Sequence, residues 1–67
     1  MRVERWSDKL YVGDRRVCGV YVTMALETLI GTGDTDAEAS DAVVRKLEAR
    51  IAEYQEAIAH VRGEVTR

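Results

Sequence analysis

The sequence predicts an α+β protein with a small N-terminal antiparallel β-sheet of two or three strands, a short helix and one long C-terminal helix. Short runs of valine, tyrosine and tryptophan, separated by turn-forming residues, fill the first third of the chain. Apolar residues recur at spacings of three and four over the last part. The 67 residues leave room for one small domain, residues 1–67.

The first region, residues 1–22, is predicted to form a β-hairpin sheet. Strands are expected at 2–6, 9–12 and 16–22, because Ser7-Asp8 and Gly13-Asp14 favour turns. A three-residue loop at 13–15 collects the most apolar side chains on one face of the hairpin. The resulting register places on one face Leu10, Val12, Cys18, Val20 and Val22, and on the other Tyr11, Val17 and Tyr21.

The middle of the chain is predicted to form a short helix over residues 23–30. Thr23 would cap this helix and Gly31 would stop it, but eight residues are too few to form a helix by propensity alone, so continuation of the preceding strand is the alternative. The glycine-rich run at 31–35 is interpreted as a connecting loop. A phosphate-binding role is disfavoured because no lysine or arginine lies between Arg16 and Arg45.

A long helix is predicted over residues 36–62. Thr35 and Glu38 have the spacing of a capping box, and Gly63 offers a C-terminal stop. Apolar residues occupy the a and d positions of a heptad repeat along this helix. This seam consists of Val44, Leu47, Ile51, Tyr54, Ile58 and Val61.

The predicted helix is longer than its own domain can cover. It would span about 40 Å at 1.5 Å per residue, whereas a compact chain of this size is roughly 28 Å across. We therefore expect the seam to mediate self-association into a homodimer or higher oligomer. The charge pattern beside the seam leaves the helix orientation open; the flanking residues are Glu48, Arg50, Gln55, Arg62 and Glu64.

Composition argues against several classes of function. The net charge of −2 and the estimated pI of 5.3 disfavour general binding to nucleic acid. The chain has one cysteine, Cys18, and no apolar run long enough to cross a membrane, which together predict a reducing, cytoplasmic setting. The single histidine, His60, has no Cys, Asp or Glu beside it at ligand spacing, so we expect no metal, no cofactor and no enzymatic activity.

The remaining prediction is a protein-binding module, of the kind found among small regulatory, inhibitor or accessory proteins of bacteria and phages. The target would be an unidentified protein, held by an aromatic sheet face and the basic hairpin tip: Trp6, Tyr11, Val17, Tyr21, Arg15 and Arg16. The same aromatic residues could instead complete the core.

A dimeric DNA-binding regulator that uses the Arg15-Arg16 tip is the alternative function. It is disfavoured because Val17, Gly19 and Tyr21 cannot make bidentate contacts with bases.

Overall fold

The computed structural model describes residues 1–65 and consists of one three-stranded antiparallel sheet and one long helix. The elements are β1 (Arg2–Val12), β2 (Arg15–Thr23), β3 (Thr28–Gly33) and α1 (Asp36–Val65), with the strands in the order β1-β2-β3. The predicted α+β class is confirmed. Residues 66 and 67 of the predicted domain lie outside the described residues.

The short helix predicted over 23–30 is wrong, because this segment forms a turn and a third strand. Thr23 pairs with Thr28, and the four-residue loop between them is closed by the Met24 amide donating to the Glu27 carbonyl at 2.9 Å. Leu29 then lies opposite Val22 in the sheet. A strand satisfies the backbone groups of β2 along its free edge, which an eight-residue helix would leave without partners.

The glycine-rich run predicted as a connecting loop lies largely within β3. Gly31 pairs with Val20, and Gly33 pairs with Cys18. These two glycines are therefore part of the sheet, on the face that the helix covers.

The hairpin between β1 and β2 has a two-residue turn, not the predicted three-residue loop. Val12 pairs with Arg15, so only Gly13 and Asp14 lie in the turn. Gly13 has a φ of 64°, which a type II′ turn requires at its first central residue and which glycine adopts without strain. This turn moves the β1 side chains by one position relative to the predicted register.

β1 is one strand with an irregularity, rather than the two strands predicted at 2–6 and 9–12. Trp6 pairs with Gly19 and Leu10 with Val17, so three residues of β1 lie opposite the single residue Cys18. Within this bulge Asp8 adopts a φ of 53°, a left-handed conformation that aspartate tolerates better than most residues. Because the bulge adds two residues, Trp6 and Leu10 stay on the same face of the sheet.

The helix begins as the capping-box spacing predicts. The Glu38 amide donates to Thr35 Oγ1 at 3.1 Å, and the Asp34 amide donates to the Glu38 carboxylate at 2.9 Å. The predicted stop at Gly63 is wrong, since α1 continues through it to Val65. Gly63 does not take the left-handed conformation of a C-terminal cap, which Gly13 alone among the described glycines adopts.

The core lies between the inner face of the sheet and the first half of α1. Its buried residues are Cys18, Val20, Val22, Leu29, Ala39 and Val43. The helix lies directly on β3, because a Cβ added at Gly31 would overlap the Ala39 carbonyl and the Val43 amide. Gly33 is equally close to Glu38. Small residues at this contact bring the helix backbone against the strand backbone.

The molecule is elongated. Its principal extents are 55 × 19 × 18 Å, and its radius of gyration is 15.9 Å, compared with about 11 Å for a compact chain of the same length. The 30 residues of α1 account for this shape, since a helix of that length spans about 45 Å. Within residues 1–65, no helix has the length and low charge needed to cross a bilayer.

Candidate protein-binding surfaces

The predicted seam is largely exposed along α1. Five of its six side chains are between 46% and 58% exposed, namely Val44, Ile51, Tyr54, Ile58 and Val61. All 14 successive residues from Ile51 through Glu64 are exposed. The second half of α1 therefore has no protein layer over it within the described chain.

A different side of the helix packs on the sheet. Ala39 is fully buried and Val43 is 3% exposed, although neither belongs to the seam. Leu47 is the one seam residue that packs against the core cluster. The seam and the sheet-facing side thus run next to each other and share Leu47.

A polar cluster marks the level at which the sheet ends along the helix. Glu27, in the β2–β3 loop, accepts hydrogen bonds from Arg50 Nε at 3.0 Å and 3.2 Å, and from the Tyr54 hydroxyl at 3.5 Å. The hydrogen bond with Glu27 and the charge of that carboxylate, together with Glu53, raise the pKa of the Arg50 guanidinium. Arg50 holds the loop to the helix just before the projecting segment of α1, residues 51–65.

The outer face of the sheet, turned away from the helix, carries the second apolar surface. Pairing and strand alternation place six apolar side chains there: Trp6, Leu10, Val12, Val17, Tyr21 and Ile30. Gly19 forms a gap in this face that Leu10 fills, with the Tyr21 ring beside it. Val17 is buried, whereas Trp6, Val12 and Ile30 are exposed.

The register corrects the membership of the predicted aromatic face. Trp6, Val17 and Tyr21 lie on the outer face as predicted, but Tyr11 pairs with Arg16 and lies on the same face as Cys18. Leu10 and Val12, expected on the core face, belong to the outer face instead. The Gly13-Asp14 pair, a known two-residue hairpin signal, was the sequence feature that could have revealed this.

The arginines at the hairpin tip have partners within the chain. Arg15 forms an ion pair with Asp34, and Arg16 Nε donates to the Tyr11 hydroxyl at 3.3 Å. The tip is therefore less electropositive than its sequence suggests.

A shallow depression of about 260 Å³ lies between Arg15, Val17 and Asp34. It is smaller than the usual 300–1,000 Å³ of ligand pockets.

Several of the acidic side chains between residues 23 and 41 are used inside the fold. Glu27 binds Arg50, Asp36 accepts a hydrogen bond from Ser7 at 2.8 Å, and Glu38 caps the helix. Among residues 1–65, no three His, Cys, Asp or Glu side chains converge as they would around a metal ion. His60 lies on the exposed second half of α1.

Comparison of the chain with protein-family models, with curated proteins and with solved structures gives no match. Its function is therefore inferred from the geometry described above.

Proposed function

We propose that this protein is a non-enzymatic, self-associating module that works by binding other proteins. The observation that carries the proposal is the apolar seam of α1, which continues for about four turns past Leu47, the seam residue that packs against the core. Ile51, Ile58 and Val61 are each about half exposed on this segment. In a monomer these side chains would remain in water.

The energetics of the projecting turns support this proposal. Residues 55–65 lie past Tyr54, which donates a hydrogen bond to Glu27 in the β2–β3 loop. These turns extend a helix that is already nucleated, but in water propagation alone adds little stability per residue. A second helix that covers the seam would bury the apolar side chains and stabilise the projecting turns at the same time.

Substitution of Ile51 by aspartate tests self-association. The side chain is 55% exposed in the monomer, so Ile51→Asp should leave the sheet folded, whereas an unpaired carboxylate in a paired seam costs a few kcal/mol. Ala52→Asp is the matched control, because position 52 lies on the opposite side of the helix from the seam. Light scattering after gel filtration should show an oligomer for the wild type and Ala52→Asp, and a monomer for Ile51→Asp.

A monomeric wild type at all accessible concentrations would contradict the proposal. So would an Ile51→Asp variant that remains folded and associates as strongly as the wild type.

The outer face of the sheet is the proposed surface for a second, different protein. A sheet with only one face covered leaves Trp6, Val12 and Ile30 exposed on the same outer face as the half-buried Tyr21. Tryptophan and tyrosine are enriched among the residues that dominate binding energy at interfaces. A small regulatory or inhibitor protein of the kind found in bacteria and phages is the class that such an arrangement fits.

The cytoplasm is the proposed compartment. Cys18 is a free thiol within the core, as is usual for proteins of reducing compartments.

The geometry does not favour the DNA-binding alternative, since Asp34 neutralises Arg15 at the hairpin tip. The amino-acid sequence predicts that binding to duplex DNA is weak and independent of the order of the bases. A titration near 150 mM salt that showed nanomolar, sequence-selective binding would reverse this ranking.

A further inference from the structure

We infer that two copies of the chain pair antiparallel through residues 48–64, with the two-fold axis close to residue 56. The inference rests on the proposed self-association and adds its geometry: which end of one helix meets which end of the other. The exposed seam of one copy is then covered by the same segment of a second copy.

The available space limits which part of the seam can pair. Leu47 packs against the core, and Arg50 is held by Glu27, so the sheet occupies the first half of α1. Antiparallel pairing overlaps only the projecting segments and places the two sheets at opposite ends of the pair. Parallel pairing would bring both sheets to the same level beside the same turns.

The apolar residues fit an antiparallel register centred on residue 56. In this register the a and d layers alternate between chains. Ile51 lies opposite the partner's Val61, and Tyr54 lies opposite the partner's Ile58. Two-fold symmetry repeats both contacts, so the four seam residues from Ile51 to Val61 form four layers.

Because the sheet limits the overlap to residues 48–64, the flanking charges now favour the antiparallel orientation. In the antiparallel register the flanking residue Glu48 lies beside the partner's Arg62, and Arg50 lies beside the partner's Glu64. Both pairs are of opposite sign and both occur twice. In a parallel pair the flanking positions would bring together Arg50 with the partner's Gln55, and Arg62 with the partner's Ala57, and neither contact is complementary.

The β2–β3 loop supplies a further apolar side chain at the expected level. Leu26 is 92% exposed and precedes Glu27, which contacts Arg50 and Tyr54. In the antiparallel register the partner's helix passes Arg50 as it approaches its C-terminal end. Leu26 therefore lies at the height where that helix would end, and no side chain within residues 1–65 covers it.

Charge reversal tests the orientation. Glu48→Arg and Arg62→Glu each replace two attractive contacts by two repulsive ones in the antiparallel pair, and each should weaken dimerisation on the order of tenfold. The double variant should restore the wild-type affinity. Glu56→Arg, at a position on the far side of the helix from the seam, is the matched control and should leave the dissociation constant unchanged. The measurement is sedimentation equilibrium at low salt, where such contacts are least screened.

Cysteine cross-linking gives an independent readout of geometry. Residues 55 of the two chains lie across the two-fold axis in the antiparallel pair, so Gln55→Cys should oxidise to a disulfide-linked dimer. Residues 61 lie ten positions apart along the axis, about 15 Å, so Val61→Cys should not cross-link. The native Cys18 is 4% exposed and does not compete.

The outcomes separate the two proposals. A wild type that is monomeric overturns the self-association itself. A dimer whose affinity is the same in Glu48→Arg, Arg62→Glu and the control, or one that cross-links through residue 61 and not through residue 55, overturns the antiparallel arrangement and leaves self-association standing.

Discussion

The two halves of α1 differ in the side chains that they use for packing. The first half meets the sheet through Ala39 and Val43, which lie against Gly31 and Gly33. The second half carries larger apolar side chains, among them Ile51 and Ile58, and they stay half exposed. The closest contact between α1 and the sheet is made by small residues, whereas Ile51, Ile58 and Val61 lie beyond the sheet.

This difference shows why a strong heptad pattern does not identify the core of a domain. A close backbone approach needs glycine and alanine, which contribute little to an apolar periodicity. A seam of isoleucine, tyrosine and valine is the more visible signal, but it describes a surface that a second helix can cover. The contact with the sheet and the seam therefore require different residue types on two sides of the same helix.

The strongest test of this comparison is a methyl group added at the close contact. Gly31→Ala should destabilise the fold by at least about 3 kcal/mol, because the new Cβ would overlap backbone atoms of α1 that cannot move independently. Gly63→Ala is the matched change in the projecting half, where an added Cβ would meet no described atom within 4 Å outside its own stretch of helix. It should stabilise the helix by about 0.5–1 kcal/mol. Urea unfolding at one fixed protein concentration measures both, and equal stabilities would refute the contrast.

Adjacent valines give the next largest contrast. Val43 is 3% exposed and Val44 is 46% exposed. Val43→Asp buries a carboxylate against the sheet and should cost at least about 3 kcal/mol. Val44→Asp should change stability by no more than about 0.5 kcal/mol, and it should also spare the antiparallel pair, whose overlap begins after position 44. Thermal unfolding followed by circular dichroism measures the stability of both variants. Similar losses of stability would contradict the orientation of α1, in which Val43 faces the sheet and Val44 does not.

The smallest effects are expected on the two tyrosines of the hairpin. Tyr21→Ala removes a half-buried ring beside Gly19 and Leu10 and should cost about 1–3 kcal/mol. Tyr11 is 64% exposed, so Tyr11→Ala should lower stability by less than about 0.5 kcal/mol. Denaturant melts that rank the tyrosines in the reverse order would contradict the observed register. If the outer face binds a target, only Tyr21→Ala should weaken that complex as well.

Much of the fold could be predicted because its signals are local. The capping box at Thr35 and Glu38, the helical period after it and the turn residues at Gly13-Asp14 each act within a few positions of the chain. The third strand was missed because β3 depends on pairing with β2. Its sequence, with Gly31 and Gly33, has weak intrinsic preference for a strand.

The candidate surfaces were predictable to different degrees. The exposed seam followed from comparing helix length with domain size, and the structure contains that overhang. The outer face was assigned only in part, since a one-residue change in turn length moves every β1 side chain to the opposite face. Tyr11 was therefore placed with Tyr21, and Leu10 was placed with the core. The Ser7-Asp8 pair predicts an interruption of the strand, but it does not distinguish a turn between two strands from the bulge at residues 7–9 that keeps Trp6 and Leu10 together.

The position of Cys18 makes the opening of the sheet measurable as a chemical rate. Its sulfur lies 3.8 Å from the Asp34 carbonyl and 4.0 Å from an Asp8 carboxylate oxygen, where the hairpin bulge meets the start of the helix. A thiol reagent can reach it only when β1 or α1 moves away, so the labelling rate reports how often that happens. The sulfur is distant from the projecting half of α1, so any slowing of labelling as protein concentration rises would measure how far pairing of the helices stabilises the sheet.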